Sequence, residues 1–328
     1  MHGWSITFCA TAPRSAAAGY LLLQFTAAML TLSGVIAFAL GVSGEFLPHD
    51  QRYLGMTARE LCALHGCRIV HFMIHDRISF GGALIAVGLM YAWLTDAIRQ
   101  GHAWAWRLLA LSGSIGFASF FAYLGYGYLD TWHGLATLAL LPCFAFGLHR
   151  TREVLQEPHL PVSQPDWRSV AGLGRMCLVG SATGMIGGGL TIMIVGMTCV
   201  FVPQDLEFMG LDVAEMHALN PRLVPLIAHD RAGFGGAVCC AGVAILFSVW
   251  HGTPSRRLWW TLAAAGVAGF GAGVGAHPAI GYTDWFHLAP AVVGAFVYAI
   301  GLALSWSRSH APRGNARWDA LRRVDSDG

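Results

Sequence analysis

An imidazole, a carboxylate and a guanidinium stand side by side at His75-Asp76-Arg77, and the same triplet returns at His229-Asp230-Arg231. The first copy continues Ile78-Ser79-Phe80-Gly81-Gly82 and the second Ala232-Gly233-Phe234-Gly235-Gly236. Each heads a long apolar run. A histidine ring moves protons near neutral pH and ligates metals through either nitrogen. A carboxylate beside it fixes the tautomer, and arginine grips a carboxylate or phosphate with two parallel hydrogen bonds. Ionisable groups at or inside a membrane span mark function by default. The plainer reading is that Asp76 and Arg77 form a helix-end cap and a salt bridge, carried along by duplication.

A second histidine pair follows the same duplication. Gly127-Tyr128-Leu129-Asp130-Thr131-Trp132-His133 matches Gly281-Tyr282-Thr283-Asp284-Trp285-Phe286-His287. In a four-helix repeat, the second and fourth spans run the same way. His75 and His133 then reach one depth in the first bundle, and His229 and His287 in the second. Two imidazoles from facing helices are what a six-coordinate haem iron takes on its two sides. The expected ligands of a cofactor or metal are therefore His75, His133, His229 and His287. Asp130 and Asp284 lie one helical turn before a histidine; they would orient the ligand or pair with Arg77 and Arg231. The catalytic candidates are thus Asp76, Arg77, Asp130, Asp230, Arg231 and Asp284. His71 is a secondary ligand candidate, though its counterpart is Pro225. The glycine pairs would let a helix or a flat ring come close. Trp132, Trp285, Tyr128 and Tyr282 read as an interfacial belt.

The elements that position these groups follow from composition. The 328 residues are 55% hydrophobic and 12% charged, with a mean hydropathy of +0.54. Soluble domains carry about a quarter charged residues, so the chain reads as an all-α integral membrane protein. A net charge of +2, with no basic run interleaved with aromatics, excludes nucleic acid as a partner and leaves the lipid bilayer. Eight continuous apolar runs are expected to span as helices, near 17–43, 69–94, 106–127, 132–148, 176–202, 226–250, 258–276 and 286–307. Phe46-Leu47-Pro48-His49-Asp50 also matches Phe201-Val202-Pro203-Gln204-Asp205. The layout is then a cytoplasmic N-terminus over 1–16, a four-helix repeat over 17–148, a linker over 149–175, a second repeat over 176–307 and an Arg-rich tail over 308–328. Four spans per repeat imply two tandem four-helix bundles related by a pseudo-two-fold axis along the membrane normal. All 20 basic residues are arginine. With the N-terminus inside, fourteen fall on the cytoplasmic side and four in outer loops, which places both termini inside, in a bacterial cytoplasmic membrane. The linker, with Pro158, Pro161 and Pro165, suits an extended segment.

Cys62 and Cys67 fall in the first outer loop as C-x4-C. Outside the cytoplasm such a pair forms a stapling or redox-active disulfide; two separate thiols are the alternative. Cys143, Cys177, Cys199, Cys239 and Cys240 sit in apolar runs, where cysteine acts as a small hydrophobe.

The layout resembles the haem A synthase family. That family has two four-helix bundles made by duplication, a histidine on the second and fourth span of each, and a cysteine pair in the first outer loop. The residues that carry the resemblance are His75 with Arg77, His133, His229 with Arg231, His287, and Cys62 with Cys67. Two departures stand out. Asp76 and Asp230 intervene between histidine and arginine, and the family's catalytic glutamate is absent, with His71 and Phe72 in that region. The resemblance implies a haem-b-binding membrane oxidoreductase acting on another substrate, with a quinone or electron-transfer partner. Three rival classes stay open: an ion or small-molecule transporter with parallel repeats, a non-haem metal or quinone protein built from the same residues, and a purely structural subunit.

Overall fold

A computed structural model describes residues 14–122, 128, 131–155 and 166–310. Among these, α-helices dominate and no strand occurs. In chain order the helices are α1 (Arg14–Ser43), α2 (Pro48–Leu54), α3 (Ala58–His65), α4 (Arg68–Arg99), α5 (Ala103–Ala122), α6 (Thr131–Thr151), α7 (Val170–Met197), α8 (Pro203–Met209), α9 (Val213–Leu219), α10 (Leu223–His251), α11 (Arg256–Ile280) and α12 (Trp285–His310). Seven are long and apolar enough to cross a membrane: α1, α4, α6, α7, α10, α11 and α12. The remaining long helix, α5, has 20 residues and carries Arg107, Ser112, Ser114 and Ser119. The expected cytoplasmic linker is shortened from both ends, because α6 runs on to Thr151 and α7 starts at Val170. Its prolines lie outside the described residues, as does most of the Arg-rich tail.

Burial sorts the long helices into two kinds. In α4 and α10, 78% of the most apolar window is buried, against 22% in α1 and α7. A helix that is apolar all round belongs in the interior, and these two form the centre. The outer helices turn large apolar side chains outward, among them Leu21, Ile36, Val267 and Phe296. That surface suits lipid rather than water.

The contacts run crosswise between the two halves of the chain. The central helices α4 and α10 touch each other. Helix α1 lies along α4, and α7 along α10. Yet α11 packs along α4, and α5 along α10. The third long helix of each half therefore packs on the second long helix of the other. Two self-contained bundles, as expected from the repeat, are not what the contacts describe; the halves interlock.

Glycine pairs permit this. A methyl group on Gly81 would lie 2.6 Å from the Phe38 backbone nitrogen in α1, while one on Gly82 would overlap Ala268 and Ala272 in α11. The second copy behaves alike: Gly235 faces Gly189 and Met193 in α7, and Gly236 faces Ser119 in α5. Of the two expected uses of these glycines, close helix approach is the one observed.

Four short helices cover one end of the long ones. Pro48 and Pro203 open α2 and α8, where a missing N–H costs nothing. Gly55 and Gly210 close them at φ 72° and 69°, a left-handed turn that favours glycine. Helices α3 and α9 start on reciprocal caps, Thr57 with Glu60 and Asp212 with Glu215. Beneath them Phe72, Leu61, Ile69, Met209, Met216 and Leu223 form a dry cluster. Cys62 and Cys67 are disulfide-bonded, tying α3 to the start of α4. Gly81→Val should lower stability in detergent by about 1–3 kcal/mol, read as a lower unfolding temperature. Gly134→Ala, with open space at its Cβ, should leave that temperature unchanged or raise it.

Candidate functional site

The triplets at residues 75–77 and 229–231 sit two turns into α4 and α10, just under the short helices. They are not helix-end caps. His75 Nδ1 lies 3.0 Å from Asp76 Oδ1, and His229 Nδ1 lies 3.0 Å from Asp230 Oδ1. An ionised carboxylate only accepts, so each Nδ1 carries a proton, and in the neutral ring Nε2 is the nitrogen with the lone pair.

The arginines reach across. Arg77 donates to Asp230 Oδ2 at 2.9 Å and to Asp50 Oδ2 at 2.8 Å. Arg231 lies 3.4 Å from Asp76 Oδ2 and donates to Asp205 Oδ2 and the Val200 carbonyl, both at 2.6 Å. Its guanidinium also lies over the Phe72 ring, 4.8 Å from the centroid. Each arginine thus joins the carboxylate of the opposite triplet to an aspartate on the first turn of α2 or α8. Tyr128 donates to Asp50 Oδ1 at 2.5 Å, and Tyr282 to Asp205 Oδ1 at 2.8 Å. These two tyrosines are 3% and 1% exposed, so they belong to the buried network and not to an interfacial belt. Trp132 and Trp285 remain exposed, as a belt requires. Tyr282 lies between α11 and α12; its burial, with the Asp205 carboxylate beside it, pushes the phenol well above its usual range and keeps it a donor.

The histidines pair across the halves of the chain. His133 Nδ1 is 3.1 Å from His229 Nε2, with the rings stacked at 5.1 Å. His287 meets His75, ring centroids 5.8 Å apart. The expected pairs, His75 with His133 and His229 with His287, are therefore exchanged. Packing explains the exchange: α5 on α10 delivers the first turn of α6 to His229, and α11 on α4 delivers the first turn of α12 to His75.

A fifth histidine joins one side. His277 near the end of α11 stacks edge-on to His75 at 4.3 Å and lies 5.3 Å from His287. One ligand atom from each of His75, His277 and His287 lies within 4.8 Å of the other two. His71, the secondary candidate, is not in this group. His277 escaped the sequence reading because it has no repeated partner, the matching position being Tyr123. Asp284 has another task than the one expected. Its Oδ1 accepts the His287 backbone N–H at 2.8 Å and caps α12. Asp76, Asp230 and Asp205 are the carboxylates that face the rings. Asp130 lies outside the described residues.

A haem needs two imidazoles held apart by the width of an iron and a slot for a flat macrocycle. His133 and His229 are instead hydrogen-bonded directly to each other, beside a cavity of only about 20 Å³ lined by Phe80, Phe120, Arg77 and Asp230. Pockets for drug-sized ligands occupy about 300–1,000 Å³, so the residues on this side do not fit a tetrapyrrole as arranged. Comparison with protein-family models, curated proteins and solved structures finds no match to this chain.

Arg77→Gln leaves Asp230 and Asp50 buried against a neutral group. Breaking a buried pair from one side costs about 3–5 kcal/mol, so the expected outcome is a marked loss of folded protein in a detergent unfolding assay. Arg77→Gln combined with Asp230→Asn should recover part of the loss.

Proposed function

We propose that this chain is a membrane-embedded metalloprotein, with a non-haem metal ion held where imidazoles from opposite halves meet under the short helices. In this reading α5 is the eighth span, the two halves are parallel repeats, both termini are cytoplasmic and the site lies toward the outer face. Oxidoreductase chemistry is the class that the resemblance to haem A synthases implies. One observation carries the metal reading: His75 is 3% exposed, its Nδ1 is held by Asp76, which is 1% exposed, and other imidazoles stand within ligand reach. A carboxylate–histidine couple of this kind fixes the ring and strengthens its second nitrogen as a ligand. The ring cannot turn away, so the lone pair on Nε2 stays presented.

Haem b is the second reading. It rests on the paired imidazoles, His75 with His287 and His133 with His229, and calls for each pair to move apart. Elemental analysis and a visible spectrum of the purified protein separate the two. The metal reading expects a first-row transition metal at stoichiometric amount and no Soret band, and a metal affinity about 10–100-fold weaker in Asp76→Asn. A Soret band with stoichiometric iron replaces it with the haem reading. Protein from metal-replete cells that holds neither ends both.

A further inference from the structure

The two sides of the central helix pair are not equivalent. We propose that the chain binds one divalent first-row transition metal ion through Nε2 of His75, His277 and His287, and that the His133–His229 side binds none. This rests on the metal reading above and names its ligands, its stoichiometry and the class of ion.

The tautomers carry the argument. Each of the three rings has an oxygen acceptor near Nδ1. Asp76 Oδ1 is 3.0 Å from His75, the Gly273 carbonyl is 2.7 Å from His277, and Asp205 Oδ1 is 3.7 Å from His287. A carbonyl oxygen cannot donate, so Nδ1 of His277 carries its proton and Nε2 is a bare lone pair. That Nε2 is buried and has no hydrogen-bond partner, on a residue only 4% exposed. An unpaired buried acceptor costs about 1–3 kcal/mol, and a ligated cation removes that cost. The three rings come from α4, α11 and α12, so they approach from different directions, as coordination requires.

The spacing and charge agree. Metal–nitrogen bonds of about 2.0–2.1 Å at tetrahedral angles set the nitrogens about 3.4 Å apart. One ring nitrogen from each histidine lies within 4.8 Å of the other two, and small ring rotations close the site. Asp76 and Asp205 share one guanidinium, Arg231. The immediate surroundings therefore hold one negative charge in surplus and favour a cation. Three nitrogen donors without sulfur select Zn, Cu(II), Ni or Fe(II) over Cu(I). Three protein ligands leave a fourth position for water or substrate. Phe72, Phe234 and Tyr282 surround His75 at centroid distances of 6.0–6.5 Å.

The other side keeps the aspartate at Nδ1 and two carboxylates on one guanidinium, but lacks the open Nε2 and the third imidazole. His229 Nε2, the atom matching the His75 ligand, already accepts from His133 Nδ1. The residue matching His277 is Tyr123 in sequence.

The test uses the full-length protein in detergent, stripped with a chelator and titrated with Co²⁺, read by its visible d–d bands and by metal content. The proposal expects one Co²⁺ per chain. His277→Gln should weaken binding about 100-fold or more, and His277→Cys, which keeps a ligand atom, should restore it with a charge-transfer band of cobalt–thiolate type. His133→Gln should keep one ion at near wild-type affinity. Two ions per chain, or one ion indifferent to His277→Gln in protein of native helix content, overturns this assignment and leaves the metal reading standing. A wild-type chain that takes up no Co²⁺, Zn²⁺ or Cu²⁺ overturns the metal reading itself.

Discussion

The molecule depends on an exchange of charge between its two central helices. Arg77 of α4 answers Asp230 of α10, and Arg231 of α10 faces Asp76 of α4. Each of these groups, buried alone, would cost several kcal/mol, and pairing offsets rather than reverses that cost. The exchange therefore contributes little net stability but much specificity. Any slip of α4 along α10 strands four charges at once. The same arginines fasten α2 and α8 through Asp50 and Asp205, so one network sets both the register of the core and the position of its cover.

With the register set, the glycine pairs decide who packs where. Gly81 admits α1 and Gly82 admits α11 on another face of α4; Gly235 and Gly236 do the same for α7 and α5 on α10. The resulting crossover brings the first turns of α6 and α12 to the opposite half's histidine. Each histidine cluster is consequently made of residues from both halves of the chain. Away from the site, Tyr91, Ser112 and Cys240 form a second buried polar knot among α4, α5 and α10, with contacts of 3.0–3.1 Å. It has no match in the other half, where Ala86 and Gly266 stand at two of the equivalent positions. One side of the central pair thus carries a hydroxyl–thiol clasp and the other a third imidazole.

Aspartate at position 76 has two neighbours at once, an imidazole through one oxygen and a guanidinium through the other. A change at His75 is therefore felt at Arg231, Asp205 and Tyr282 through direct contacts. Asp76, which stands between His75 and Arg77 in the chain, is the residue that links the histidine cluster to the charge network.

Much was legible in the chain itself. Continuous apolar runs with few charges require helices in lipid, since only a helix satisfies its own backbone there. The twofold recurrence of His-Asp-Arg marked residues that the structure joins in one buried charge network, and the C-x4-C pair marked the disulfide, because side-chain type and short spacing are local properties. The partners of those residues were not local. Whether His75 meets His133 or His287 depends on which helix the third span lies against, and hydropathy is nearly the same on every face of such a helix. His277 was invisible for a related reason: a single histidine at a helix end means nothing until packing sets it beside two others. Residue type determined what chemistry was on offer; the interlocking of the two halves decided which atoms came together.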